Sequence, residues 1–263
     1  MTIYNAALLP VLFSSVYFQS KGWGTFIRNE TALSRCNTLL TLLQPIQAKD
    51  QMSDKSHQNL IDFILSGVSL ETSEYQGRSA LKMQMPFSAF QDPAKEKLTD
   101  RKFMAWLPLD FHNGTIDVEV ASTLADDAPA YARGFLGISF RIDNQQRFEN
   151  IYLRPTNSQA DDQIRRNHSV QYFAYPDYPF ERLRAESPEQ YETYADIAPE
   201  QWITMKIVVS GHTARLFLNF QAKPALIVNE LKLGTETRGG VGIWIESGTV
   251  AFFRKLTVSS AMQ

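Results

Sequence analysis

The chain has 263 residues, of which 44% are hydrophobic and 21% charged, and its formal net charge is −2. That length is enough for one large all-β domain or two small ones with a sizeable core, and the near-neutral balance excludes the basic field that nucleic acid or an anionic membrane surface requires of a partner. The single cysteine, Cys36, excludes an internal disulfide framework and a cysteine zinc site, and no second element of a thiol site surrounds it to make it a nucleophile.

The first 51 residues read as a leader. "AALLPVLFSSVYF" (6–18) is apolar but shorter than the roughly 20 residues that cross a bilayer, and it lacks the preceding positive charge of an export signal. "LSRCNTLLTLLQPIQAKD" (33–50) matches such a signal in part, with Arg35 as its positive start and Ala48 as its small residue, although Pro45 and Gln47 interrupt it. The expectation is a poorly ordered leader over 1–51, a periplasmic or secreted location if it is a signal and a cytoplasmic one otherwise, and a single domain over 52–263.

From residue 60 the pattern becomes β. "VSLETSEYQG" (68–77) and "RSALKMQMP" (78–86) form two strands joined through Gly77. Residues 87–102 are charged, contain Pro93, and read as a loop. "FMAWLPLDFHNG" (103–114) is apolar and ends in an Asn-Gly turn signal. In "TIDVEVAS" (115–122), Ile116, Val118 and Val120 alternate with Asp117 and Glu119, giving one dry and one wet face. "GFLGISFRID" (134–143) is apolar on both faces, with Gly137 open to close backbone approach, and it pairs with "FENIYLRP" (148–155) around "NQQ". Beyond residue 200, segments 202–210, 212–220, 224–231, 239–247 and 249–259 follow at short spacing, punctuated by glycines. Many short strands with turn signals and almost no helical period predict an all-β sandwich or jelly roll. Trp202 and Trp244 lie in strand patterns and read as core, whereas Trp106 fits either core or a binding platform.

Between the two β regions, residues 152–184 hold five Arg, four acidic residues, one His and four of the ten Tyr. A saccharide site needs paired donors and acceptors for vicinal hydroxyls and flat aromatic faces for the ring, and this long polar insertion supplies both. The same residues allow a structural reading, in which Asp161, Asp162, Arg165 and Arg166 form ion pairs across one turn. Asp161, Asp162 and His168 are also plausible metal ligands, although the adjacent basic pair disfavours a dense cation site. His57, His112 and His212 have no such company. No phosphate-binding glycine loop, nucleophile elbow or His-Glu-x-x-His motif is present.

"W..MKIVV.G..ARLFLN" followed by "GGVGIWI..GTVAFFRKLTV" resembles the closing half of laminin-G-like and concanavalin A-like jelly rolls. "NIYLRPTN…ADDQIRRNHSVQY…YPDYP" resembles bacterial proteins of the 3-keto-disaccharide hydrolase family. The likeness covers roughly residues 60–260 and is strongest over 134–258. It implies a concanavalin A-like jelly-roll sandwich with a long inserted polar loop, and a carbohydrate or glycoside as partner, with no cofactor beyond the structural calcium that sandwiches of this class often carry. Fold alone does not transfer activity. Laminarinase-like hydrolases of the same class carry Glu-x-Asp-x-x-Glu on one strand. Here Asp117 and Glu119 lack the third carboxylate and read as a solvated face.

In a 3-keto sugar the carbonyl acidifies the C2 proton. Its removal by a base expels the glycosidic oxygen, after which water adds. His168 is the acid–base candidate, with Arg166 (or Arg154 or Arg165) stabilising the enolate oxygen and Asp162 or Asp161 orienting His168 or protonating the leaving group. Arg154, Asn157, Asp161, Arg165, Gln171, Tyr172, Tyr175 and Tyr178 are the substrate-binding candidates. A non-catalytic carbohydrate-binding module and a purely structural sandwich are the alternatives. An enzyme would show a perturbed His or carboxylate deep in a cleft beside Arg. A lectin would show exposed aromatics without convergent titratable groups.

Overall fold

The computed structural model describes residues 62–261. The 1–51 leader, the boundary at Met52, Cys36 and His57 lie outside the described residues. The strands are β1 (Ile64–Ser66), β2 (Ser69–Tyr75), β3 (Arg78–Gln84), β4 (Met104–Phe111), β5 (Gly114–Leu124), β6 (Leu136–Ile142), β7 (Phe148–Leu153), β8 (Val170–Tyr175), β9 (Glu192–Thr193), β10 (Ile203–Ser210), β11 (Thr213–Leu218), β12 (Leu226–Val228), β13 (Gly239–Ile245) and β14 (Thr249–Ser260). Three short helices, α1 (Pro155–Ser158), α2 (Gln163–Asn167) and α3 (Phe180–Glu186), flank β8. One seven-stranded sheet runs β1-β4-β13-β6-β7-β8-β9, and the other runs β12-β11-β10-β5-β14-β3-β2. Every pairing between named strands is antiparallel. This is the all-β sandwich the strand pattern predicts.

The alternation in β5 sets the inside of the second sheet. Ile116, Val118 and Val120 are buried and join the main core with Met205, Ile207 and Leu216, while Asp117 and Glu119 sit half-buried on the other face. Glu119 is solvated and ion-paired there, with Lys255 at 2.7 Å, Arg254 at 3.4 Å and Arg78 at 3.7 Å. Trp202 departs from expectation. It lies on this outer face against Tyr75 (ring centroids 5.9 Å apart), in a small cluster with Ala80, Ala121 and Phe252 rather than in the main core. Trp244 is fully buried, and Trp106 packs partly buried against the core.

The first sheet differs. Every residue of β6 and β7 is buried, so both faces of these strands are covered. The stretch expected to be one long loop extends this sheet beyond β7. That expectation needs correcting, because its middle, "VQYFAY", is a strand fully paired to β7, and helices bracket it. Pro155 starts α1, where its missing N–H costs nothing. Asp162 caps α2 by accepting from the Arg165 N–H at 3.0 Å. These local signals are short, and the aromatic and charged residues around them mask any period.

Close contact at Gly137 seats the site. Gly137 faces Tyr152 across the β6–β7 ladder, and a Cβ there would lie 2.4 Å from the Tyr152 Cβ and 2.6 Å from the Ile151 carbonyl oxygen. Gly137→Ala is expected to destabilise the fold by about 2 kcal/mol or more through overpacking. Urea unfolding would read this as a lower midpoint at unchanged slope, and an unchanged midpoint would refute the contact's importance.

Candidate functional site

A cleft of about 260 Å³ lies where the 87–102 segment, the β5–β6 connection, β7, α2 and α3 converge. Its floor is a chain of polar groups. The Asp100 carboxyl accepts the Tyr152 hydroxyl at Oδ1 (3.0 Å) and the Phe180 N–H at Oδ2 (2.7 Å). The Tyr152 hydroxyl in turn accepts from Arg154 Nη2. Pro179 provides no side-chain cap for α3, so Asp100 supplies one from 80 residues away. The Arg154 guanidinium lies 4.9 Å from the Tyr152 ring centroid and 5.0 Å from that of Phe180.

Burial dominates the electrostatics of Asp100. It pushes the carboxyl up to about 7, against the lowering by Arg154, the Phe180 N–H and Tyr152. His168 moves the other way. Burial and the nearby Arg184 hold its imidazole below the ordinary value, and Glu192 only partly opposes them. His168 Nδ1 lies 2.7 Å from Glu192 Oε2, but the two are not aligned for a hydrogen bond. Glu192 is itself buried and gripped by Arg184 Nε and Nη2 at 2.6–3.1 Å. The imidazole is therefore neutral at neutral pH, set between a fixed carboxylate and the cleft.

The cleft's arginines fall into two kinds. Arg184 is paired with Glu192, and Arg101, just behind the wall, makes a two-point pair with the cleft residue Glu246. Arg133 donates only to the carbonyls of Ala130 and Ala132, and Arg165 extends into solvent from α2. Burial and then Arg165 and Arg154 hold the Arg133 guanidinium below its ordinary value.

Of the residues the sequence singles out, His168, Arg154, Asn157 and Arg165 meet in this cleft. The others do not line it. Arg166 reaches the Tyr194 hydroxyl at 3.2 Å and stacks on that ring. Asp162 is the α2 cap, and Asp161 is exposed beside it. Gln171 is buried and donates to the carbonyls of Tyr172 and Tyr191. Tyr172 is fully buried, donating its hydroxyl to Glu149, so it offers no face to a ligand. Tyr175 stacks on Phe148 at 5.2 Å, and Tyr178 lies under Arg182 at 4.3 Å. Sequence reading missed Asp100, Arg133, Arg184 and Glu192. Asp100 sits in a segment read as loop and Arg133 in one left without an assignment, and only tertiary contact brings them in. Arg184 closed the polar stretch and carried a usable signal as the one basic residue of the last α3 turn.

Asp161, Asp162 and His168 do not gather as ligands. Among the described residues no group of three or more His, Cys, Asp or Glu could hold a metal ion, and Asp162 is committed to its helix cap, so the donors do not fit a calcium site. A broader hollow of about 340 Å³ lies over Asp117, Lys206, Phe217 and Phe220 on the second sheet. There Asp117 and Lys206 oppose each other across the ladder. The first cleft, which gathers the buried carboxyl, the imidazole and the guanidiniums, is the candidate site. Among the described residues no helix is long and apolar enough to cross a membrane.

The chain matches no protein-family model and no curated protein. Among solved structures it is similar to a protein of unknown function with a galectin-like fold from Bacillus subtilis, at 13% identity over 79% of this chain and 93% of that one, with a TM-score of 0.48. It is also similar to a carbohydrate-binding module from Bacillus subtilis (11% identity, 74% of this chain, 97% of that one, TM-score 0.44) and to a galectin of Caenorhabditis elegans (13%, 61%, 94%, 0.36). The fold itself rests on the two sheets described above.

The raised carboxyl has a consequence for stability. Between about pH 4 and 7 the folded state holds a proton on Asp100 that the unfolded chain releases, so this group's contribution to stability is full at low pH and is lost as pH rises through about 7. The unfolding free energy of the protein relative to Asp100→Asn is expected to fall across that window, by up to about 4 kcal/mol for a three-unit displacement. Urea titrations at several pH values measure it, and a difference that stays flat from pH 4 to 7 would contradict the assignment.

Proposed function

We propose that the protein is a carbohydrate-active enzyme that breaks a glycosidic bond by elimination. The observation that carries this is the convergence, in one cleft, of a neutral imidazole (His168), a carboxyl near 7 (Asp100) and guanidinium groups, which is the pattern expected of matched acid–base chemistry. The proton on a ring carbon next to a carbonyl passes to His168. The electrons of that C–H bond form a carbon–carbon double bond as the bond to the glycosidic oxygen breaks. The departing oxygen takes its proton from Asp100 in its acid form, and Arg154 stabilises the enolate oxygen on the way. Glu192 is a positioning residue, because it touches His168 and Arg184 rather than the cleft. The sequence resemblance supports a 3-keto glycoside as the carbonyl-bearing substrate, with water adding afterwards.

Binding without chemistry is a second reading, favoured by one observation: both Asp100 oxygens already accept hydrogen bonds. Aromatic faces at Phe135 and Phe180 would then serve as ring platforms.

Turnover of neutral glycosides and their 3-keto derivatives, by the protein and by His168→Ala, separates the two. Elimination predicts a fall of about 100-fold or more in kcat for the variant with an unchanged urea midpoint. Saturable binding without cleavage by the unaltered protein would establish the binding module instead. The pH profile is a further expectation. With His168 acting as base and Asp100 as acid, kcat/KM should rise through an apparent pKa below 6.5 and fall again near 7. The acid limb should disappear in His168→Ala, and the alkaline limb in Asp100→Asn. A profile unchanged by either substitution would remove both roles.

A further inference from the structure

We propose that the saccharide this cleft takes carries a carboxylate on its ring, a hexuronate, and that Arg133, Arg154 and Arg165 bind that carboxylate. The proposal deepens the saccharide reading above and rests on it.

The three guanidiniums reach one cleft from three places: the β5–β6 connection, the end of β7 and α2. Among the described residues, no carboxylate lies within ion-pair distance of any of them, whereas the neighbouring Arg101 and Arg184 each hold one. Their protein acceptors are neutral: the Ala130 and Ala132 carbonyls for Arg133, and the Tyr152 hydroxyl and His168 carbonyl for Arg154. Like charges gathered in one cleft repel; burial first, and then Arg165 and Arg154, hold the Arg133 guanidinium below its ordinary value. The carboxyls that line the cleft do not answer this charge. Glu246 is taken by Arg101, and Asp100 is half-protonated near neutrality. Nor is the excess a by-product of a basic chain, since the whole sequence carries −2.

Anionic oxygen is what completes such a set. A guanidinium fork matches the planar, two-oxygen face of a carboxylate. On a uronate the carboxylate takes the place of the ketone: the C5 proton passes to His168 and a C4–C5 double bond forms as the bond from C4 to the glycosidic oxygen breaks, so the guanidiniums that bind the carboxylate also stabilise the enolate. Asn157 adds a polar anchor. It is buried, lines the same cleft, and donates its side-chain N–H to the His168 carbonyl at 3.2 Å, which holds the segment carrying the imidazole. A sulfated sugar shares the charge but presents a tetrahedral oxyanion.

Calorimetric titration of the whole chain tests this with three probes: a uronic-acid tetrasaccharide, the same oligosaccharide with its carboxylates reduced to hydroxymethyl groups, and a sulfated neutral oligosaccharide. The uronate is expected to bind about tenfold or more tightly than its reduced form, as charged hydrogen bonds of this kind allow. Arg133→Gln with Arg165→Gln should erase that preference while the urea midpoint holds. Equal binding of the uronate and its reduced form would overturn the carboxylate proposal and leave the saccharide reading standing. Tighter binding of the sulfated probe would overturn it in favour of a different oxyanion. Binding of none of the three, with no turnover of the neutral and keto glycosides, would remove both.

Discussion

A single carboxyl removed from water ties the cleft together. Asp100 belongs to a charged segment whose one regular element is a 3-10 turn at Phe87–Ala89, yet it is almost fully buried and joined to two distant elements. Through Tyr152 it fixes the second-last residue of β7 and, one hydrogen bond further, Arg154. Through the Phe180 N–H it fixes the start of α3, and so the direction in which Arg184 leaves that helix. Without a donor at each oxygen the buried carboxyl would be strongly unfavourable. With them, burial still outweighs stabilisation of the anion, which is why its proton is retained to about pH 7. Gly137 is the steric counterpart, since only a residue without Cβ lets Tyr152 lie this close to β6.

This arrangement explains what the sequence disclosed and what it concealed. Strand alternation is a local property, and β5 wrote it openly in Ile116, Val118 and Val120. So did the closing strands, whose turn glycines mark their ends. The stretch 152–184 announced polar chemistry through its composition, and seven of its residues line the cleft, four of them among those singled out from the sequence. Its fold was hidden because β8 is buried on both faces, so Gln171 and Tyr172 show no polar–apolar alternation. Tyr172 looked like a sugar platform for the same reason, since an aromatic residue with a polar tip reads identically whether the tip meets a ligand or Glu149. Asp100 and Arg133 were illegible because nothing nearby in sequence distinguishes a loop charge that ends in solvent from one that ends beneath a helix.

The arginines of this fold meet different partners inside and outside the cleft. Arg141 is fully buried, yet its guanidinium is met by the carbonyls of His112, Gly211 and Gly234 and by Asn113 Oδ1, at 2.8–3.2 Å. A buried guanidinium can thus be satisfied by neutral dipoles that close on it from several sides, and here these acceptors tie together the turns around Asn113, Gly211 and Gly234. Arg101 and Arg184 are met by carboxylates. Arg133 has only the Ala130 and Ala132 carbonyls, both on one terminal nitrogen, and no carboxylate, although Glu246 and Glu192 lie in or beside the same cleft and are already engaged. The acidic residues in and beside the cleft are already engaged, Glu246 by Arg101 and Glu192 by Arg184, which leaves Arg133, Arg154 and Arg165 without a carboxylate within ion-pair distance among the described residues.

That placement couples ligand charge to proton affinity. Arg184 is the second cause, after burial, of the low proton affinity of His168, and Arg154 adds to it. An anion seated among Arg133, Arg154 and Arg165 would offset part of that positive field, raising the proton affinity of His168 toward its ordinary value and making it the stronger base just when substrate is present. The same anion would raise Asp100 further and keep its proton in place for the leaving oxygen. A neutral saccharide in the same cleft would displace water and deepen the desolvation of His168, weakening it as a base. The charge of the ligand therefore acts twice on the proposed chemistry, once in binding and once in setting the protonation of the two groups that carry the proton.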